Sequence, residues 1–299
     1  MTYAYYYLTS NGEFVASSKN VITTNGYLMM NKYLANSAQD WAGGFAIGVL
    51  SRNTASATDT DLEYEIGRYP VTLKSYRTIG GSNQLVVKAT IDPILSASIT
   101  EVGLFPALDV SKNNYMLSDF SESSGSVNLW SASGSTSSLQ FAPYSRYGAS
   151  NSYWFASNSF ISNTNLSFNM NQYTSIDSAD LLVYTPATSS GTFRIVFGDT
   201  NGNIWTSASG SGSISGAGWY RVRMPLTASY ASTFNYLVNS VSINFLTTAN
   251  ASIHFDALKL ISGDVKPETL KLTSRSLFST PVAKNANQPM QMEYYVQVT

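Results

Sequence analysis

The chain has 299 residues, with 17 Lys and Arg against 18 Asp and Glu and a formal net charge of -1, so it carries no basic excess with which to neutralise a phosphate backbone. Only 12% of residues are charged and none is Cys, which removes disulfides, thiolate metal sites and Cys nucleophiles. A single His, His254, leaves almost nothing from which to build a His-based metal cluster or a Ser-His-Asp triad.

No apolar run approaches the roughly 18 residues needed to span a bilayer. The opening Met1-Thr2-Tyr3-Ala4-Tyr5-Tyr6-Tyr7 lacks the basic start and leucine-rich stretch of a secretory signal. The expectation is therefore a water-soluble, non-enzymatic protein with no nucleic-acid and no membrane partner. Abundant Ser, Thr, Asn, Gly and Tyr favour pleated surfaces and tight turns over helices.

In chain order, Tyr5 to Leu8 and Glu13 to Ala16 flank Asn11-Gly12, the strongest short signal for a hairpin. Tyr27, Met30 and Leu34 recur at helical spacing behind Thr23 or Thr24, which predicts one helix of about three turns with a Thr cap. Short β-rich runs follow at Gly44 to Val49, Glu65 to Ser75, Gln84 to Ile91 and Ile99 to Leu104. Between Ser118 and Ser262 only 11 residues are charged, against 24 in the remaining 154 positions. A compositional step at both ends of a middle segment predicts an inserted domain over 118–262, with 1–117 and 263–299 forming one base.

The insert offers ten strand candidates: 126–130, 138–141, 153–161, 166–169, 178–185, 192–197, 204–207, 218–225, 240–246 and 251–260. Asp199-Thr200-Asn201-Gly202-Asn203 has a faint calcium-loop spacing without a later bidentate Glu, and reads as a hairpin turn. The last flank adds strands over Leu270 to Leu277 and Met290 to Val298, the second alternating apolar and polar except at Tyr295. The predicted class is mainly β: a small α+β base formed by both chain ends, carrying an inserted antiparallel jelly-roll β-sandwich.

Five stretches of the flanks resemble, in order, a domain common in virion proteins of tailed bacteriophages, including the N-terminal parts of some tail fibres. They are Asn20-Val21-Ile22-Thr23-Thr24-Asn25-Gly26, Ile47-Gly48-Val49-Leu50, the segment Asp59-Thr60-Asp61-Leu62-Glu63-Tyr64-Glu65-Ile66-Gly67-Arg68, then Ile99-Thr100-Glu101-Val102-Gly103-Leu104-Phe105, and the stretch from Arg275 to Pro281-Val282-Ala283-Lys284. Leu50 stands where that pattern tends to have Gly. The motifs read as architecture, with Glu101 an ion-pair partner for Arg68 or Arg275 rather than a catalytic acid.

The insert is similar to jelly-roll modules of the galactose-binding or carbohydrate-binding kind. The likeness lies in Ser178 to Tyr184, Gly218-Trp219-Tyr220-Arg221-Val222-Arg223-Met224-Pro225 and Ile253-His254-Phe255-Asp256-Ala257-Leu258-Lys259-Leu260. That resemblance implies a structural calcium held by Asp119, Glu122 and Asp256, the one cofactor to be considered. A glycan site needs exposed aromatic faces and a few polar groups, and the run Tyr144, Arg146, Tyr147, Asn151 and Tyr153 supplies them. Those aromatics would equally pack on the sandwich or on a neighbouring subunit. Trp205 and Trp219 are expected in the core, and His254 on the solvent face of its strand.

The virion resemblance implies a surface protein assembled in the host bacterial cytoplasm, with other virion proteins as partners (the major capsid protein or a tail or baseplate protein) and a homo-oligomer, a trimer by analogy with such proteins. The lack of fibre repeats inclines the reading to capsid decoration. A tail fibre or baseplate subunit whose jelly roll binds host glycan is the alternative, and a polysaccharide depolymerase has the least support.

Overall fold

The computed structural model describes residues 3–37, 40–108, 114–120, 123–124, 127–133, 140–141, 146–147, 151–155, 159–172, 175–208, 212–226, 233–247, 251–263 and 266–298. Along the chain run β1 (Tyr3–Ser10), β2 (Glu13–Lys19), β3 (Val21–Ile22), α1 (Thr24–Leu34), β4 (Gly44–Gly48), β5 (Glu65–Ile79), β6 (Ser82–Ile91) and β7 (Ala97–Phe105). Next come β8 (Asn114–Ser118), β9 (Ser123–Ser124), β10 (Val127–Asn128), β11 (Trp130–Ser133), β12 (Gln140–Phe141), β13 (Asn151–Phe155), β14 (Ser159–Asn163) and β15 (Phe168–Asn169). The long strands β16 (Ile176–Asp199), β18 (Gly212–Pro225), β19 (Leu237–Leu246) and β20 (Ala251–Ser262), with the short β17 (Ile204–Thr206), lead to β21 (Ser274–Lys284) and β22 (Met290–Val298). The protein is mainly β, and among the described residues every paired strand is antiparallel to its neighbour.

Two compact units divide the chain: Met1–Val110 with Val265–Thr299, and Ser111–Asp264. Strand β8, within the flank on the sequence reading, pairs with β20 and so belongs to the second unit. In the first unit the sheet order is β2-β1-β22-β6-β5-β4-β7-β21-β3, so the two closing strands lie among strands of the first flank. The sheet curls until its ends meet, where Ser18 Oγ donates to the Leu277 carbonyl and Ser276 Oγ to that of Lys19. Asn11 and Gly12 take positive φ (51° and 82°), as the two-residue β1–β2 turn requires. Helix α1 is capped by the Thr23 side chain, which accepts from Gly26 N–H, and it sends Met29 into the core.

Alternation sorts β22, with Met290, Met292, Tyr294 and Val296 in the core and Glu293 and Tyr295 on the other face. Tyr295 thus fits the strand's period, its apolar character answered by Arg77 over its ring at 4.2 Å. Strand β21 begins at Ser274, later than expected, because Glu268–Leu270 forms a 3-10 turn first.

The flank motifs converge on one buried network. Arg275 meets Glu101 at 2.7 Å and Asp59 at 2.9 Å, with Glu63 at 3.8 Å. The other Glu101 oxygen accepts the Tyr64 N–H at 2.9 Å. Gly48 faces that carboxylate so closely that a Cβ there would lie 2.4 Å from it, which is why the motif holds Gly at this position. Arg68 pairs instead with Glu65 and lies over the Phe105 ring at 3.4 Å. Leu50, the departure from the motif, is buried.

The second unit is a jelly-roll sandwich around a core that includes Leu181, Val183, Phe193, Phe197, Val222, Ile243, Ile253 and Phe255. Two strands predicted at 178–185 and 192–197 are one strand, β16, whose first half pairs with β20 and second half with β19. A break in register after Thr185 lets β16 pass from one layer to the other, and β18 follows it through Gly216 and Gly218 at positive φ (108° and 121°). The single strand predicted at 153–161 is two: β13 pairs with β20 and β14 with β19.

Burial pushes the Glu101 carboxyl up to about 7 against the opposing pull of Arg275 and the Tyr64 N–H. A group whose folded pKa is raised withdraws stability as pH rises through that value, and removing Arg275 raises it further. Arg275→Met should therefore cost about 3–5 kcal/mol, with a larger loss at pH 8 than at pH 5 in urea unfolding. Equal losses at the two pH values would contradict the assignment.

Candidate functional site

In β16, β18 and β20 the residues that miss the core share the opposite, outer face of one layer. On β18, Tyr220, Val222 and Met224 enter the core, so Trp219, Arg221 and Arg223 face out. On β16, Ala179, Leu181 and Val183 face in, so Asp180, Leu182 and Tyr184 face out. On β20, Ile253, Phe255, Leu258 and Leu260 face in and His254, Asp256 and Lys259 face out, a bulge opposite Leu182/Val183 resetting the parity.

Register then builds rows across the strands. Tyr184 lies opposite Trp219 on one side and opposite His254 on the other. The ring centroids are 5.2 Å and 5.6 Å apart, with tilted planes. Trp219 and Tyr184 are half-buried, whereas His254 is 6% exposed and its imidazole is shifted towards the neutral form by burial. Further along the same face Asp180 lies opposite Arg223 and Lys259, and Leu182 opposite Arg221 and Ala257. Both Asp180 oxygens are engaged, by Arg221 Nε at 2.6 Å and by Arg223 at 2.8 and 3.0 Å. Burial works against its ionisation, but Arg223 and Arg221 overcome it and hold the carboxyl below the usual carboxylate range.

Residues 146–147 join this face from a distant part of the sequence. The Asp256 carboxylate, fully buried, accepts the Arg146 N–H at 2.9 Å and the Tyr147 N–H at 3.1 and 3.2 Å. So held, Arg146 places its guanidinium over the Trp219 ring, 5.0 Å from the centroid. The Tyr147 hydroxyl is pushed up by burial and by the neighbouring Asp119 and Asp256 charges.

The structure therefore brings Arg146 and Tyr147 together and adds Trp219, Tyr184 and His254, which the sequence reading left out of the site. Trp219 does not enter the core as expected, because Tyr220 takes the inward position; Trp205 does. His254 faces outward as expected but is covered. Asn151 and Tyr153 lie opposite Phe255 and Ile253, two core positions, and only Ser152 shares the register of His254. Tyr144 lies outside the described residues. Of the residues proposed for calcium, Glu122 also lies outside them, Asp119 neighbours Tyr147, and the Asp256 oxygens are taken by backbone N–H groups. Among the described residues no group of three or more His, Asp or Glu side chains is placed to hold a metal ion. Asp199 likewise spends its oxygens on N–H groups of Asn201, Asn203 and Asn235, closing the hairpin turn into β17.

No family model and no curated protein matches the chain. Among solved structures, a family 11 carbohydrate-binding module from Clostridium thermocellum, in complex with a β-1,3-1,4-mixed-linked tetrasaccharide, is similar over 50% of this chain and 96% of its own, at 15% identity and a TM-score of 0.35. A family 29 carbohydrate-binding module matches over 52% of this chain and 98% of its own, at 12% identity and a TM-score of 0.30. An exo-β-agarase matches over 52% of this chain and 26% of its own, at 11% identity and a TM-score of 0.40. At these values the likenesses add nothing to what the residues themselves say about function.

Because Asp256 holds the 146–147 backbone, Asp256→Asn should speed hydrogen exchange at the Arg146 and Tyr147 amides by about tenfold or more while leaving Ile253 and Phe255 protected. Unchanged exchange at 146 and 147 would show that something else holds them.

Proposed function

We propose that the inserted sandwich is a non-catalytic glycan-binding module and that its ligand lies along the outer face of β18 and the adjoining Tyr184 of β16. The observation that carries this reading is the row Trp219–Tyr184–His254, with the Arg146 guanidinium over Trp219. The half-buried rings of Trp219 and Tyr184, side by side, give the C–H groups of sugar rings an apolar surface where Arg146 leaves them open, and Arg146 and Tyr147 supply polar groups at its border.

The carboxylates of this face support binding over hydrolysis. A glycosidase pair needs a protonated acid and a second carboxylate with room for the scissile bond. Asp180 is held ionised by two guanidiniums and Asp256 is closed off by N–H groups.

For the base, the motif resemblance supports a place on the surface of a tailed-phage particle, where capsid decoration leads and a tail or baseplate position is the alternative. Many copies on one particle would raise weak glycan binding by avidity. Antibody labelling of intact particles in the electron microscope tests the setting: label over the head fits decoration, label at the tail tip fits the alternative, and unlabelled particles overturn both.

The glycan reading is tested on a polysaccharide array. Trp219→Ala and Tyr184→Ala should each weaken binding by about tenfold, close to 1.4 kcal/mol, while Arg194→Ala, on the other layer, should leave it unchanged. Wild-type affinity in both aromatic variants would remove this face from consideration.

A further inference from the structure

The proposed glycan face is charged, and the sign of the charge it shows to solvent is set by the packing. Of the five Lys and Arg residues between 118 and 262, Arg146, Arg221, Arg223 and Lys259 all belong to this face, and only Arg194 does not. The Asp180 side chain is 2% exposed, whereas those of Arg221 and Arg223 are 29% and 48% exposed. The carboxylate is buried behind the two guanidiniums that neutralise it, so a ligand on the face meets the cations first. Lys259 stands opposite Asp180 on the next strand, almost fully buried, and adds positive potential without a head group at the surface. The other carboxylates are at the end held by residues 146–147, where Asp256 is buried beneath N–H groups and Asp119 lies beside Tyr147.

Arg221 and Arg223 are two residues apart, on the same face of β18 as Trp219. From Trp219 to Arg223 is about 13 Å along the strand, at roughly 3.3 Å per residue. A saccharide chain resting on Trp219 and Tyr184 and running along β18 therefore passes over both guanidiniums. Each guanidinium gives its Nε side to Asp180, and the Nη hydrogens that remain suit carboxylate and sulfate oxygens better than neutral hydroxyls.

We propose that the ligand of this face is an anionic polysaccharide, with its uronate or sulfate groups met by Arg221 and Arg223 while a neighbouring sugar ring lies on Trp219 and Tyr184. This rests on the glycan-binding reading and names its substrate class.

The test is affinity electrophoresis and calorimetry of the full chain with matched polymers: alginate and polygalacturonate beside their carboxyl-reduced forms, and carrageenan beside its desulfated form. The expected result is binding to an acidic polymer at least about tenfold tighter than to its neutral counterpart, weakening further when salt is raised from 20 to 300 mM. Arg223→Gln, which leaves Arg221 on Asp180, should lose about tenfold on the acidic polymer only, and Arg223→Lys should recover part of it. Preference for the carboxylated or the sulfated pair identifies the anion. Equal binding to charged and neutral forms, untouched by salt and by Arg223→Gln, would overturn the anionic assignment and keep glycan binding. No binding to any polymer by protein with wild-type thermal unfolding would overturn both.

Discussion

The pleat of three strands decides what this protein presents to its surroundings. Side chains along β16, β18 and β20 alternate between a packed core and an outer face, so fixing Val183, Tyr220 and Ile253 in the core fixes Tyr184, Trp219 and His254 on the other side. A slip of one residue in β18 or β16 would bury Trp219 or Tyr184 and expose a core residue, at the loss of about 1.5–3 kcal/mol for each large side chain taken out. The same core that stabilises the sandwich therefore holds the aromatic row and the two arginines in line. The site inherits its rigidity from β16, which pairs with neighbours on both edges for most of its length.

The base has a comparable pin in Arg275. It stands on a strand from the far end of the chain and contacts Asp59 and Glu101 from the first flank, across an insert of some 150 residues. A buried ion pair of this sort contributes little net stability over an apolar alternative, and its value lies in specifying which strand sits beside which. Here it specifies that β21 belongs next to β7, the pairing that lets the sheet close after so long an interruption. Asp59, Glu63 and Glu101 are explained by this role, while Arg68 pairs with Glu65, Asp61 with Lys266, and Lys284 donates to the Pro93 and Leu95 carbonyls.

Much of this was legible in the sequence. The Asn11-Gly12 turn, the Thr-capped helix, the pairing of Glu101 with an arginine and the final strand stand where they were expected, although the helix turns Met29 inward and leaves Tyr27 and Leu34, two of the residues that predicted it, exposed. Trp219 was misread because Gly218-Trp219-Tyr220 offers two large aromatics and only one faces inward. The deciding signal was present two and four residues on: Arg221 and Arg223 share the parity of Trp219, and two arginines do not face a hydrophobic core. What no local pattern contains is register. That Tyr184 lies between Trp219 and His254, and that Asp256 holds residues more than a hundred positions away, depends on which strands become neighbours. In the run from Tyr144 to Tyr153, proximity in sequence groups Asn151 and Tyr153 with Arg146, whereas the register of β13 sets them opposite Phe255 and Ile253.

The most direct measurement of the central claim is an NMR titration of the labelled protein with oligosaccharides cut from whichever polymer binds, following the Trp indole and Arg Nε–H signals. Trp219, Arg221 and Arg223 should shift together and saturably while Trp205 and Arg194 stay in place. Shifts confined to residues of the other layer, or to the base, would contradict it.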